Sequence, residues 1–300
     1  SVKNELHQGL INLGINNILI PEENNGLGLD LLFASAVSQS LGEGIATLPF
    51  LGPYVIAPIT IKYGANDKQK ERLFNEMSQN LINFGVGFSE YFGSRDSSGL
   101  SIKNNTVTGR TLFVLDTDYA SHVMLCDKEG KIGFVSLDSE GVEIIDLITV
   151  DKTRIYKEMN FENTPIEILE NTKSSCLAAE MALNAGRIVT AADSLGAAQA
   201  MISKAVEYSH ERKQFNRVIG SFQAVKHMCA EMSAELEPCY SLVWHAAHSF
   251  DESSEDTKLM ACLAKSHISE VSKMVSKKAT EVHGGMGFTD LLGLHYWFKR

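Results

Sequence analysis

The spacing of apolar residues changes twice along this chain of 300 residues. Apolar side chains recur at helical intervals at the start, form short β-branched and aromatic runs in the middle, and return to helical intervals afterwards. This order predicts an α+β fold with a helical domain over 1–82, an antiparallel β-domain over 83–169 and a helical bundle over 170–300. It differs from the alternation of strands and helices that builds a parallel dinucleotide-binding sheet.

The last predicted domain has the clearest periodicity. Its apolar side chains step by three and four positions in three separate stretches, which predicts three helices of about 20 to 25 residues packed as an antiparallel bundle. The polar run FDESSEDTK (250–258) is expected to form the turn between two of them. Near the start of the chain, Asn66 or Asp67 is expected to cap a polar helix.

Charge and cysteine content restrict the partners and the compartment. The net charge of −10 argues against nucleic acid or an anionic membrane as the main partner, and no apolar run is long enough to span a bilayer. Five cysteines occur without metal-ligand spacing or a disulfide pattern, so we expect no metal and a reducing, cytoplasmic location. Cys229 and Cys262 occupy helical apolar positions and are expected to be buried.

Two segments suggest a ligand site. Residues 210–227 place several basic residues at the end of one helix and an amide at the start of the next, a combination that can hold a phosphate-bearing ring ligand. Residues 281–290 place three glycines within four positions after a long helix, which lets the backbone approach an anion closely. Taken singly, each segment also agrees with an ordinary helix end followed by a turn.

Together these segments resemble a known family. ERKQFNRVIGSFQAVKHMCAEM and EVHGGMGF resemble the two C-terminal motifs of the acyl-CoA dehydrogenases. LGINNILIPEENNGLGLD and GVGFSEYFGSRD resemble the N-terminal and β-domain motifs of that family. By this comparison, and because the chain begins at Ser1 and stops within a structured motif, we expect a fragment without an N-terminal helix and the last C-terminal helix.

The resemblance implies FAD bound between the β-domain and the bundle, with a partner subunit closing the site. It also implies α,β-desaturation of an acyl-CoA, in which a carboxylate removes the α-proton, and reoxidation by an electron-transferring flavoprotein. The residues expected to bind the cofactor are Phe88, Ser89, Glu90, Arg212, Gln214, Phe215, Phe222, Gln223, Gly284, Gly285 and Gly287. Those expected to bind the substrate are Arg187 and Ser94.

The position of the catalytic base departs from the family pattern. The usual glutamate aligns with Leu291, and the alternative position in some members aligns with Gly186. The neighbouring Asp290 is shorter than glutamate and is only a weak candidate, because a displacement of about 1 Å can cost on the order of 10²-fold in rate.

Three functions remain open at this point. The β-domain resembles a bacterial branch that acts on CoA esters of sterol side chains and often pairs two unlike chains, one of which lacks the glutamate. The chain is therefore expected to be the subunit without a base in a hetero-oligomer. The alternatives are a self-sufficient homo-oligomer that uses Asp290, and a non-catalytic scaffold that binds flavin or acyl-CoA.

Overall fold

A computed structural model describes residues 2–93, 99–170 and 175–300. Within these ranges, helices precede a group of strands and longer helices follow it, which confirms the predicted α+β class. The helices are α1 (Val2–Asn12), α2 (Leu31–Glu43), α3 (Ala57–Gly64), α4 (Asp67–Ser78), α5 (Ser89–Phe92), α6 (Ser175–Glu211), α7 (Gln223–Asp251), α8 (Thr257–His283) and α9 (Leu294–Lys299). The strands are β1 (Phe84–Gly87), β2 (Gly99–Lys103), β3 (Thr106–Leu115), β4 (His122–Cys126), β5 (Ile132–Ser136), β6 (Val142–Asp146), β7 (Tyr156–Pro165), β8 (Glu167–Ile168), β9 (Lys213–Gln214) and β10 (Arg217–Val218).

The chain divides into two compact units. The first unit comprises Ser1–Asp30, Thr47–Thr149 and Arg154–Gly186, and the second comprises Leu31–Ala46, Val150–Thr153 and Arg187–Arg300. The three-domain division at residues 82 and 169 therefore stays a prediction, and the two units are described separately below.

The first unit is built around a sheet whose strand order is β6-β7-β3-β1-β4-β5-β8, with β2 paired to β3. Neighbouring strands in the described part of this sheet are antiparallel, except that β1 and β4 run parallel. The predicted antiparallel character therefore holds with one exception. That exception is possible because β2 and β3 lie between the two strands in sequence and provide the long connection that a parallel pair needs.

Both faces of this sheet are covered. Along β4, Met124 and Cys126 join one buried cluster, whereas Val123 and Leu125 join another. Alternate side chains of a strand point to opposite faces, so these two clusters lie on opposite sides of the sheet. The first cluster also contains Leu73 of α4, which anchors that helix against the sheet.

The second unit packs α2 with the C-terminal helices. The Asp251 carboxylate at the end of α7 accepts backbone N–H bonds from Leu31 at 2.8 Å and Leu32 at 3.1 Å, and thereby caps α2. A Cβ atom built on Gly196 of α6 would lie only 1.9 Å from the carbonyl oxygen of Gln39. Glycine at this position therefore allows α2 and α6 to approach closely.

Two local predictions are confirmed, whereas the predicted helix lengths are too short. The Asn66 side chain accepts a bond from the Gln69 backbone N–H at 2.9 Å and caps α4, and residues 252–256 separate α7 from α8 as predicted. The C-terminal helices are longer than predicted, with 37, 29 and 27 residues for α6, α7 and α8.

All five cysteines are free. Cys262 is exposed and Cys229 is only half-buried, which contradicts the predicted burial. The buried stripe of α8 runs through Ala261, Ala264 and Ile268, so Cys262 lies one position outside it. None of the described helices combines the length and the apolar character that crossing a bilayer requires.

Candidate functional site

The first candidate motif forms a short hairpin after α6. β9 pairs antiparallel with β10, so that Gln214 lies opposite Arg217 around a two-residue turn. The turn residues Phe215 and Asn216 have φ angles of 52° and 60°. Two positive φ angles are typical of a type I′ turn, which asparagine tolerates well but a bulky phenylalanine does not. The hairpin therefore holds Phe215 in a strained conformation.

This strained turn presents an aromatic ring to solvent. The side chain of Phe215 is 88 % exposed, and Arg212, Lys213 and Gln214 are exposed beside it. The Phe215 ring meets the half-buried Phe222 ring edge-to-face, with centroids 6.1 Å apart. Next to Phe222, the predicted Gln223 is the first residue of α7, and its amide nitrogen lies 3.0 Å from Nε2 of His227. The structure therefore brings together the five residues predicted in this segment.

The second candidate motif is a 3-10 turn over Gly284–Phe288, immediately after α8. Gly284 has φ 60° and ψ −140°, a conformation that essentially requires glycine. A Cβ atom on Gly287 would lie 2.6 Å from the carbonyl oxygen of Thr280, so internal packing explains this glycine. Gly285 has neither constraint, because a Cβ atom there would meet nothing within 4 Å. The open side of Gly285 therefore leaves room for a group from outside the described chain.

The two motifs are held at one end of the second unit. The rings of Tyr208 in α6 and His283 in α8 are 4.6 Å apart, and the carbonyl oxygen of Tyr208 accepts the backbone N–H of Arg212 at 2.9 Å. His283 is buried, and its Nδ1–H donates to the carbonyl oxygen of Ala279 at 2.7 Å. Burial lowers the pKa of His283 below its usual value, which favours the neutral ring.

Neither Asp290 nor Leu291 is placed in a dry site within the second unit. The Asp290 side chain is 97 % exposed, with one carboxylate oxygen 3.5 Å from Nε2 of His295. Leu291 is 81 % exposed. An exposed aspartate is not held in one geometry by packing, and leucine has no group that can accept a proton.

The β-domain residues of the prediction lie in the first unit. Phe88 and Glu90 are buried around α5. Ser89 is half-buried, and its hydroxyl donates to the carbonyl oxygen of Leu112 at 2.5 Å. The hydroxyl oxygens of Ser89 and Thr111 are 3.3 Å apart. Their described contacts are therefore internal to the β-domain.

Three further predicted positions have different outcomes. Ser94 lies outside the described residues. Arg187 is half-buried within α6. A Cβ atom on Gly186 would lie 3.7 Å from Cδ1 of Ile56, an ordinary contact, so this position has room for a side chain. The roles assigned to these residues stay predictions.

The donor set of the second unit agrees with a ligand that has a diphosphate and flat rings. Arg212 and Lys213 supply cations, Phe215 and Phe222 supply aromatic faces, and Gly285 leaves the backbone open to close approach. Sequence patterns did not single out Tyr208 or His283, whereas Arg217 was recognised as one of the basic residues of the first motif. Of the two missed residues, only His283 had a usable signal, because it directly precedes the glycine motif.

No group of three His, Cys, Asp or Glu side chains within the described residues is arranged to hold a metal ion.

Comparison with known proteins supports the family resemblance that the sequence motifs indicated. A family model described as acyl-CoA dehydrogenase, C-terminal domain, matches residues 177–300. The chain is 28 % identical to the short-chain-specific acyl-CoA dehydrogenase of Megasphaera elsdenii over 313 residues, covering 95 % of this chain and 81 % of that protein. It is 27 % identical to the caffeyl-CoA reductase-Etf complex subunit CarC of Acetobacterium woodii over 309 residues, covering 95 % of this chain and 80 % of that protein.

The fold is also similar to that of a solved acyl-CoA dehydrogenase. The solved structure of butyryl-CoA dehydrogenase from Megasphaera elsdenii superposes with a TM-score of 0.86 and 22 % identity, covering 98 % of this chain and 84 % of that one. The expectation drawn from the sequence motifs is thereby confirmed. The family model over residues 177–300, the curated relatives and the shared fold together support membership of the acyl-CoA dehydrogenase family, whose members are FAD-dependent oxidoreductases that act on CH–CH bonds.

Proposed function

We propose that this chain is the subunit of an FAD-linked acyl-CoA dehydrogenase that helps to bind the cofactor but depends on a partner chain for the catalytic base. The observation that carries the proposal is the exposed leucine at position 291, where the family pattern has glutamate. Gly186, the alternative position, has no acid–base group either. A family member without either carboxylate needs the base from elsewhere.

The second unit supplies the parts of the site that bind FAD. Arg212 and Lys213 offset the charge of the diphosphate, and the exposed ring of Phe215 provides a flat apolar surface. Gly285 allows the backbone to approach the phosphates without a side chain in the way. When bound, FAD supplies the hydride acceptor of the reaction.

Within the first unit, the β-domain carries predicted site residues of its own. Ser89 is fixed by its bond to the Leu112 carbonyl oxygen at 2.5 Å, so the segment around it is held firmly before any ligand binds. We assign Phe88 and Glu90 a role in cofactor binding, and Arg187 and Ser94 a role in acyl-CoA binding. None of these residues is assigned the removal of the α-proton.

Two partners and a compartment follow from this function. CarC is named as a subunit of a reductase-Etf complex, which supports an electron-transferring flavoprotein as the electron acceptor of the present chain. The base is supplied by a second acyl-CoA dehydrogenase-like chain in a hetero-oligomer. The free cysteines agree with a cytoplasmic, reducing location.

One observation favours a second candidate function. Asp290 lies 3.5 Å from His295, and a carboxylate beside an imidazole can act as a proton acceptor. A homo-oligomeric dehydrogenase that uses Asp290 is therefore the alternative. The extensive exposure of Asp290 argues against it, because removal of an α-proton needs a base held in a fixed position.

Flavin content and acyl-CoA-dependent flavin reduction test the proposal. The chain is purified alone and after co-expression with a family member that has glutamate at the position of Leu291. We expect FAD in the complex, and flavin reduction by straight-chain or branched acyl-CoA thioesters only in the complex. Flavin reduction by the chain alone would favour the homo-oligomer, and absence of FAD from both preparations would leave only a non-flavin scaffold.

A further inference from the structure

The guanidinium group of Arg217 lies over the ring of Phe222, with its central carbon 4.0 Å from the ring centroid. Arg217 belongs to β10, whereas Phe222 directly precedes α7. The contact therefore connects the hairpin to the start of the next helix. A planar cation stacked on an aromatic face is a favourable arrangement that lysine reproduces only in part.

Phe222 in turn supports the strained tip of the hairpin. Its ring meets Phe215 edge-to-face at 82°, and Phe215 has the positive φ of 52° described above. A hairpin with two residues in each strand is not stable by itself, so its geometry depends on packing against a neighbour. Arg217, Phe222 and Phe215 form a continuous row that provides this packing.

The backbone of the connection is fixed without the Arg217 side chain. The N–H of Ile219 donates to the carbonyl oxygen of Arg212 at 2.8 Å, and the N–H of Phe222 donates to that of Ile219 at 3.0 Å. Main-chain bonds therefore set the path from α6 to α7. What remains for the Arg217 side chain is the orientation of the Phe222 ring, and through it the Phe215 ring.

We propose that Arg217 is a positioning residue for FAD binding, which acts by holding Phe222 and Phe215 in the orientation that receives the cofactor. This inference rests on the proposed function, because it takes Phe215 and Phe222 as contacts of FAD. A positioning role for Arg217 differs from a direct contact between Arg217 and a phosphate in one measurable respect. A positioning residue has an effect only while the ring that it positions is present.

A double-mutant cycle separates these two roles. FAD affinity is measured by quenching of flavin fluorescence for the full chain, Arg217→Ala, Phe222→Leu and the double variant. We expect Arg217→Ala to weaken FAD binding about threefold, within the range of an exposed cation–π contact. In the Phe222→Leu background, the same substitution should have almost no further effect. Arg217→Lys should restore part of the affinity, since it keeps the charge without the planar stacking.

An effect of Arg217→Ala that persists undiminished in the Phe222→Leu background would overturn the proposal in favour of a direct phosphate contact. A fall of several degrees in the melting temperature of Arg217→Ala would also overturn it, because the residue would then be mainly structural. If the unmodified chain fails to bind FAD alone and in the complex, the proposed function fails instead.

Whether Arg217 orients the Phe215 ring can also be tested without FAD, from the ¹⁹F spectrum of the chain labelled with fluorophenylalanine. The Phe215 resonance, identified by its loss in Phe215→Leu, should shift in Arg217→Ala if the row of side chains positions this ring. An unchanged Phe215 resonance would contradict the inference even if FAD binds elsewhere.

Discussion

The rings of Tyr208 and His283 lie 4.6 Å apart and join the last turns of α6 and α8. Each of these turns leads directly into a candidate motif. The backbone of Arg212 bonds to Tyr208, and Gly284 directly follows His283. A ring contact in the second unit therefore holds the basic hairpin and the glycine turn at the same end of the helices.

The protonation of His283 predicts a pH dependence of stability. Burial lowers the pKa of His283, so the folded state prefers the neutral ring. Its contribution is fully present above the unfolded-state pKa of about 6.5 and is lost as the pH falls through the lower folded-state value. We expect the free energy of unfolding to fall with decreasing pH in this range. In His283→Phe, which keeps a ring against Tyr208, the slope should be smaller.

Urea unfolding at several pH values measures this difference. A residual slope is expected in the variant because burial also lowers the pKa of His122. Equal slopes for the two proteins would mean that His283 does not titrate differently in the folded and unfolded states.

The glycine turn predicts opposite effects for two neighbouring substitutions. Gly285→Ala adds a methyl group that meets nothing within 4 Å, so stability should change by less than about 0.5 kcal/mol while FAD affinity falls. Gly287→Ala brings a methyl group to 2.6 Å from the Thr280 oxygen and should destabilise the fold by about 1 to 3 kcal/mol. Thermal unfolding and flavin binding distinguish the two. Unchanged FAD affinity in Gly285→Ala would show that its open side does not face the cofactor.

The basic hairpin predicts a specific effect on cofactor retention. Arg212→Ala should reduce FAD affinity roughly tenfold or more, since a hydrogen bond to a charged group is worth about 1.5 to 3 kcal/mol. Lys226→Ala is a matched control, because it removes one exposed positive charge from the first turn of α7. Gel filtration followed by flavin absorbance measures retention. Equal losses in the two variants would indicate a general electrostatic effect.

The missing base predicts a gain of function. Leu291→Glu places a carboxylate at the family position of an exposed side chain, where the cost to folding should be small. If the acyl site is intact, turnover of the chain alone should rise roughly 10²- to 10⁴-fold, the usual contribution of a general base. Leu291→Gln has nearly the same shape without a basic group and should stay inactive. No gain with glutamate would mean that more than the base is absent.

Periodicity in the sequence predicted the element types well, because the apolar stripes of α6, α7 and α8 are long and regular. Asn66 was also recognised as one of two possible caps, since capping depends on neighbouring residues alone. By contrast, Asp251 caps α2 from the far end of α7. No local sequence pattern predicts a contact between residues so distant in sequence. For the same reason, the parallel pairing of β1 with β4 was missed.

Family motifs identified the residues of the candidate site, but not the contacts and backbone geometry that hold these residues in place. The glycines of residues 284–287 look alike in sequence, yet backbone geometry explains Gly284 and packing explains Gly287. Only the three-dimensional structure shows that Gly285 differs from both, because its open side meets no other atoms. The contact between Arg217 and Phe222 was likewise invisible, because it depends on a hairpin of two-residue strands that periodicity does not detect.

We propose above that this chain binds FAD and relies on another chain for the base. The most direct measurement is anaerobic loss of visible flavin absorbance on adding acyl-CoA to the co-purified complex. Its control is the same complex in which the partner's base glutamate is replaced by glutamine. We expect rapid loss of absorbance in the first complex and none in the second. Loss of absorbance at the same rate in both complexes, or in this chain alone, would show that the partner does not supply the base.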